Sequence, residues 1–208
     1  MAVLTGKTLQ ESILSVRRIP VLYKEVYFRG YIDCYAEDWA PYLEPCIAKY
    51  PNYTHYFRSI ILAQDNKDLQ LCSETKKHIN LSNNSICIGN EFKHNIIFKY
   101  TKQCIEKYNK KRKYVFMWNK NISHHNPYSS TAADEDTKQY ILWMNSTGNL
   151  KNTVLVIMSD QGPRSGQFVE TDFGRMTSNY PLLSIYIPHY VKKAFPTIAK
   201  ILNNNKAD

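Results

Sequence analysis

Two short apolar runs constrain this chain more than anything else in it. Tyr114-Val-Phe-Met-Trp118 and Thr153-Val-Leu-Val-Ile-Met158 are unbroken by polar residues, and the second is rich in β-branched side chains. Runs of that length read as buried strands. The text between them, Asp136 to Met144, carries apolar surface at Tyr140, Ile141, Trp143 and Met144 and stops before Gly148, as a helix would. Strand, helix and strand in that order predict a βαβ unit of a parallel sheet with a right-handed crossover. Pro181-Leu-Leu-Ser-Ile-Tyr-Ile187, closed by Pro188, predicts a further strand.

Upstream the pattern is weaker. Lys93 to Tyr108 places Ile96, Ile97, Tyr100, Cys104, Ile105 and Tyr108 on one helical face. Tyr27 to Tyr35 alternates like a strand. Thr8 to Ser15 and the Pro-broken stretch from Trp39 to His55 suggest helices, and Ser73 to Asn90 reads as surface loop. A hydrophobic fraction of 43% over 208 residues is enough for a sizeable core and argues against global disorder.

A formal net charge of +9 attracts polyanions or small anionic substrates without choosing among them. The densest basic run, Lys107 to Lys113, follows the predicted helix and has a simple reading as a solvated helix end favoured by the dipole. No RNP-like aromatic motif, zinc spacing or helix-turn-helix signal accompanies it, so nucleic acid is not an expected partner. No run of about 18 apolar residues predicts a membrane span. Five cysteines, at 34, 46, 72, 87 and 104, lack the tight spacing of a zinc finger. Cys72 and Cys87 bracket a polar stretch that a disulfide would close in an oxidising compartment, and reduced, buried thiols are an equal alternative. Asn52, Asn80, Asn83, Asn121 and Asn145 each begin an Asn-x-Ser/Thr acceptor pattern.

In a parallel α/β sheet, ligands bind outside the carboxyl ends of the strands. Asn119-Lys-Asn-Ile-Ser-His124-His125-Asn126 follows the first apolar run, and Ser159-Asp160-Gln161-Gly162-Pro-Arg164 follows the second. Asp160 is placed to offer a carboxylate to a hard cation, His124 or His125 to complete a metal site or touch a substrate oxygen, and Arg164 to hold an anion. The same residues also fit a plain reading, with Asp160 capping a turn and Arg164 pairing with Glu170 or Asp172.

The segment Asn152-Thr-Val-Leu-Val-Ile-Met-Ser-Asp-Gln-Gly-Pro-Arg164 resembles the Asn-Thr-hydrophobic-Met-Ser-Asp-His-Gly-x-Arg segment of the domain of unknown function 229 family, a sulfatase-like branch of the alkaline-phosphatase superfamily. Leu4-Thr-Gly-Lys-Thr8, Gly30-Tyr31, Tyr35-Ala-Glu-Asp-Trp39, Cys87-Ile-Gly-Asn90, Ser123-His124, Gly174-Arg175 and Tyr180-Pro-Leu-Leu-Ser-Ile185 follow that family's order. The resemblance implies an α/β three-layer sandwich with a mostly parallel central sheet. It also implies an anionic ester as substrate, a divalent metal (zinc or calcium), and a place in the secretory lumen, at the cell surface or outside the cell. It makes Asp160, Gln161 and His124 the metal-binding positions, with Gln161 standing where an imidazole is the rule, and leaves Arg164 and His125 for substrate. No Ser, Thr or Cys here sits in a nucleophile motif. The chain is therefore expected to be one partial domain, incomplete at both ends and inactive alone, or else a non-catalytic glycoprotein module of the same fold.

Overall fold

The computed structural model describes residues 26, 28–38, 54–57, 86–124, 127–163 and 166–204. The chain divides into two compact units, 1–121 and 122–208.

The first unit is built on a parallel sheet. Strand β1 (Ile32–Glu37) lies at its centre, with β2 (His55–Phe57) on one side and β5 (Lys113–Trp118) on the other. Its register sets Ile32 opposite Lys113 and Glu37 opposite Trp118. Between them in the chain, β3 (Cys87–Ile88) and β4 (Glu91–Phe92) form a small antiparallel hairpin that leads into helix α1 (Lys93–Lys107). The buried face of α1 carries Ile97, Phe98, Thr101, Cys104 and Ile105, a helical stripe that meets β1 and β5. Burying a side chain such as Ile97 contributes about 1.5–3 kcal/mol. Thr101 is fully buried as well, and its hydroxyl avoids an unpaired state by donating to Ile97 O at 3.0 Å.

A central strand is covered on both faces, and β1 shows it: every residue from Asp33 to Glu37 is buried. Tyr35 stacks on Phe116 of β5 at 5.1 Å between centroids and tilts against Tyr56 of β2 at 5.2 Å. Cys34 on β1 is joined to Cys104 in the last turns of α1 by a disulfide with the Cα atoms 6.6 Å apart. Strand and helix are thus tied covalently at the point where they pack.

The second unit opens with short helix α2 (Asn121–His124), begun by the last residue of the first unit, and a 3-10 stretch (Pro127–Ala133). It continues through helix α3 (Asp134–Ser146), a 3-10 turn (Asn149–Asn152) and strand β6 (Leu155–Met158). Three acids, Asp134, Glu135 and Asp136, stand in the first turn of α3, where the helix dipole favours them. Gly148, at φ 75°, lies just past its end. Helices α4 (Gln167–Glu170) and α5 (Asp172–Asn179) follow, then β7 (Leu183–Tyr186), α6 (His189–Ala194) and α7 (Pro196–Asn204).

The helix read from Lys93 onward and the apolar strands are all present, and the architecture is mixed α/β with a small parallel sheet. Three expectations change. The strand anticipated at Tyr27 to Tyr35 begins at Ile32 and runs on to Glu37, because a turn closed by Tyr31 N–H on Val26 O comes first. The described end of the anticipated loop, residues 87–90, supplies strand β3 and the turn of the β3–β4 hairpin. The strand–helix–strand order is kept, but β5 bonds to β1, while β6 bonds to β7 in antiparallel register, Leu155 opposite Tyr186. An apolar run marks a strand, not which strand it joins, nor that it is buried: β5 is half-buried throughout and β7 is exposed. β6 is also less enclosed than its composition suggests, with Val156 and Met158 exposed. The helices anticipated at Thr8 to Ser15 and after Trp39 lie outside the described residues, as does Cys72.

Candidate functional site

The carboxyl edge of the parallel sheet ends in two adjacent acids, Glu37 and Asp38, both buried. A buried carboxylate needs donors, since leaving it unpaired costs several kcal/mol. Glu37 receives the hydroxyl of Tyr56 at 2.8 Å and that of Tyr35 at 3.2 Å. Asp38 receives the backbone N–H of Lys120 at 2.7 Å and of Asn121 at 2.9 Å, so it caps the start of α2 and fixes how the chain leaves β5. Burial pushes the Asp38 carboxyl above its ordinary value, and the two N–H donors and the charge of Lys93 only partly offset this. At the other end of β1, Asp33 accepts from the backbone N–H and hydroxyl of Thr54. All three acids therefore serve first to join strands and loops.

The second strand end carries the segment singled out from sequence. After β6 the chain makes a tight turn from Ser159 to Pro163 that is fastened on several sides. Ser159 N–H donates to Leu182 O at 2.9 Å, and Leu182 N–H returns to the Ser159 hydroxyl at 2.8 Å. Gly162 N–H donates to Ser178 O at 3.2 Å, and the Ser178 hydroxyl donates to Pro163 O. Gly162 is required by space: a Cβ there would lie 2.1 Å from Thr177 O. Gly174 plays the same part between α4 and α5, where a Cβ would lie 1.8 Å from Phe168 O. The turn is thus held rigidly while Asp160 stays exposed and Gln161 half-buried beside it.

Of the site residues expected from sequence, Asp160 and Gln161 are brought together on this turn. His124 is the last residue of α2. His125 and Arg164 lie outside the described residues. Asp172 does pair with an arginine, but with Arg175, which also donates to Glu170 O. Of the glycosylation patterns, Asn52, Asn80 and Asn83 lie outside the described residues. Asn121 is half-buried, its side-chain amide donating to Asp38 O at 3.4 Å, and Asn145 is exposed at the end of α3.

As a donor set, a carboxylate and an amide oxygen are both hard, and so suit a calcium-class cation better than zinc, which favours imidazole or thiolate. Among the described residues no group of three His, Cys, Asp or Glu side chains stands together that could hold a metal.

Sequence reasoning does not single out Glu37 and Asp38 as site residues, although both lie within Tyr35-Ala-Glu-Asp-Trp39. The available signal was two consecutive acids at the end of a strand, a place where parallel sheets present their chemistry.

The model of a family described as protein of unknown function (DUF229) matches residues 1–208. No curated protein and no solved structure matches the chain.

Proposed function

The chain belongs to the DUF229 family, and from that premise we propose that it is a sulfatase- or phosphatase-like ester-hydrolase domain whose Asp160 turn binds a divalent cation and, through it, an anionic ester. The observation that carries this reading is the rigid turn from Ser159 to Pro163, which sets an exposed carboxylate beside an amide oxygen at the end of an apolar strand. A bound cation would supply positive charge to an ester oxygen. Asp160 and Gln161 would hold the ion, with His124, His125 and Arg164 the further candidates for ion and ester. The wider fold in this proposal is the three-layer sandwich of the alkaline-phosphatase type. A chain with no readable nucleophile would bind without turning over sulfate or phosphate esters.

Calcium or terbium titration of the purified chain tests this. Saturable binding that Asp160→Asn weakens at least tenfold supports it; a chain that binds neither ion under equilibrium conditions leaves the hydrolase reading without support.

A second reading, a non-catalytic glycoprotein module of the secretory lumen or cell surface, is favoured by Gln161 in place of imidazole and by Asn145, exposed at the head of Asn-Ser-Thr. Expression in a secreting cell, followed by enzymatic removal of N-glycans, tests it through a mobility shift that Asn145→Gln reduces.

A further inference from the structure

Five cations fall within seven residues, Lys107, Lys110, Lys111, Arg112 and Lys113, where α1 ends and β5 begins. A helix dipole accounts only for a charge in the last turn, which is Lys107. The other four lie beyond it, in a connection whose backbone is fixed at both ends. Tyr108 N–H donates to Cys104 O at 3.1 Å, Lys111 N–H to Tyr108 O at 2.9 Å, and Ile32 N–H of β1 to Arg112 O at 2.9 Å. The Cys34–Cys104 disulfide anchors the helix end to the same central strand. A ligand meeting this surface would not have to order the backbone, which removes a large part of the usual cost of binding.

The side chains are also available. Lys107, Lys110, Lys111 and Arg112 are exposed. The close ion pairs Lys99–Glu91, Lys138–Glu135 and Arg175–Asp172 involve no residue of this run. Like charges held at this density, with Glu106 the acid adjoining them in sequence, repel one another, a cost that a polyanion would relieve.

We infer that the connection from Lys107 to Lys113 is a binding surface for a sulfated polysaccharide. Two observations favour that polyanion over nucleic acid. The buried Cys34–Cys104 disulfide belongs to an oxidising compartment, where sulfated glycans are the abundant linear polyanions and nucleic acid is not. Single-stranded nucleic acid also needs free aromatic faces for its bases. The two tyrosines here are engaged, Tyr31 beneath the Arg112 guanidinium at 5.3 Å and Tyr108 against His55, with its hydroxyl 2.5 Å from the imidazole. The inference concerns the first unit alone and stands whether or not the Asp160 turn binds a cation.

The test measures binding of the full chain to a heparin octasaccharide, to the same oligosaccharide stripped of sulfate, and to single-stranded RNA, over a range of salt. It compares Lys110→Ala/Lys111→Ala/Arg112→Ala with an equal charge change elsewhere, Lys192→Ala/Lys193→Ala/Lys200→Ala, after circular dichroism shows that both variants are folded. Expected is salt-sensitive binding to the sulfated probe that the first variant weakens about tenfold or more and the second leaves nearly unchanged. Equal weakening by both variants, no weakening by the first, undiminished binding to the desulfated probe, or tighter binding to RNA would each overturn the inference.

Discussion

The hydroxyl of Tyr56 on β2 donates to the carboxylate of Glu37 on β1 at 2.8 Å, so the edge strand holds the central one through a side chain as well as through the ladder. Tyr56→Phe keeps the ring contact with Tyr35 and removes this donor from a buried carboxylate. The expected loss is about 1–3 kcal/mol in urea unfolding. A loss below a few tenths would mean that the hydroxyl contributes little.

Asp38 gives a pH dependence of definite sign. Its folded carboxyl lies above the ordinary 3.8, because burial outweighs the N–H donors and Lys93. The folded state therefore holds the proton more tightly than the unfolded one. The associated stability is present in full below the unfolded value and is lost as pH rises through the folded value. Asp38→Asn should flatten this part of the stability curve in urea melts run from pH 3.5 to pH 7. A slope unchanged by the substitution would assign it to other carboxyls.

Little of this carboxyl edge was legible beforehand. The helix from Lys93 could be read because Ile97, Cys104 and Ile105 repeat at its own period. β1 could be read only in part, as the strand expected over Tyr27 to Tyr35, since Asp33 and Glu37 interrupt its apolar text, and their partners Thr54 and Tyr56 arrive from about 20 residues away. The Asp160 turn was found from its residue types and Gly162, whereas its fastening by Ser178 and Leu182 depends on β6 pairing with β7, which no local pattern encodes. The cysteines show the same limit. Spacing suggests Cys72 with Cys87, and Cys87 is disulfide-bonded while Cys72 lies outside the described residues; the Cys34–Cys104 bridge joins cysteines 70 positions apart, a separation that no local spacing announces.

Breaking that bridge tests its contribution. A loop of 70 residues should cost about 4 kcal/mol on the chain-entropy account. Cys34→Ser/Cys104→Ser, compared with the parent in oxidised urea melts, is expected to lose about 2–5 kcal/mol. Equal midpoints would indicate that the bridge adds nothing to the packing around it.

Gly162→Ala should disturb the Asp160 turn without altering any donor atom. The new methyl would stand 2.1 Å from Thr177 O, which is backbone and has little room to give. A destabilisation of about 1–3 kcal/mol is expected, together with weaker calcium binding if Asp160 holds the ion. A variant as stable as the parent would show that the turn and α5 can separate freely.

The pairing of β1 with β5 also sets a timetable for synthesis. Ile32 waits for Lys113, about 80 residues later, and at about 5–20 residues per second β5 emerges from the ribosome roughly 4–16 s after the central strand. Cys34 leaves the ribosome with it, and Cys46, Cys72 and Cys87 all emerge before Cys104. The nascent chain therefore passes through an interval in which every thiol within reach of Cys34 is the wrong one, and its yield in a cell should depend on enzymes that reshuffle disulfides.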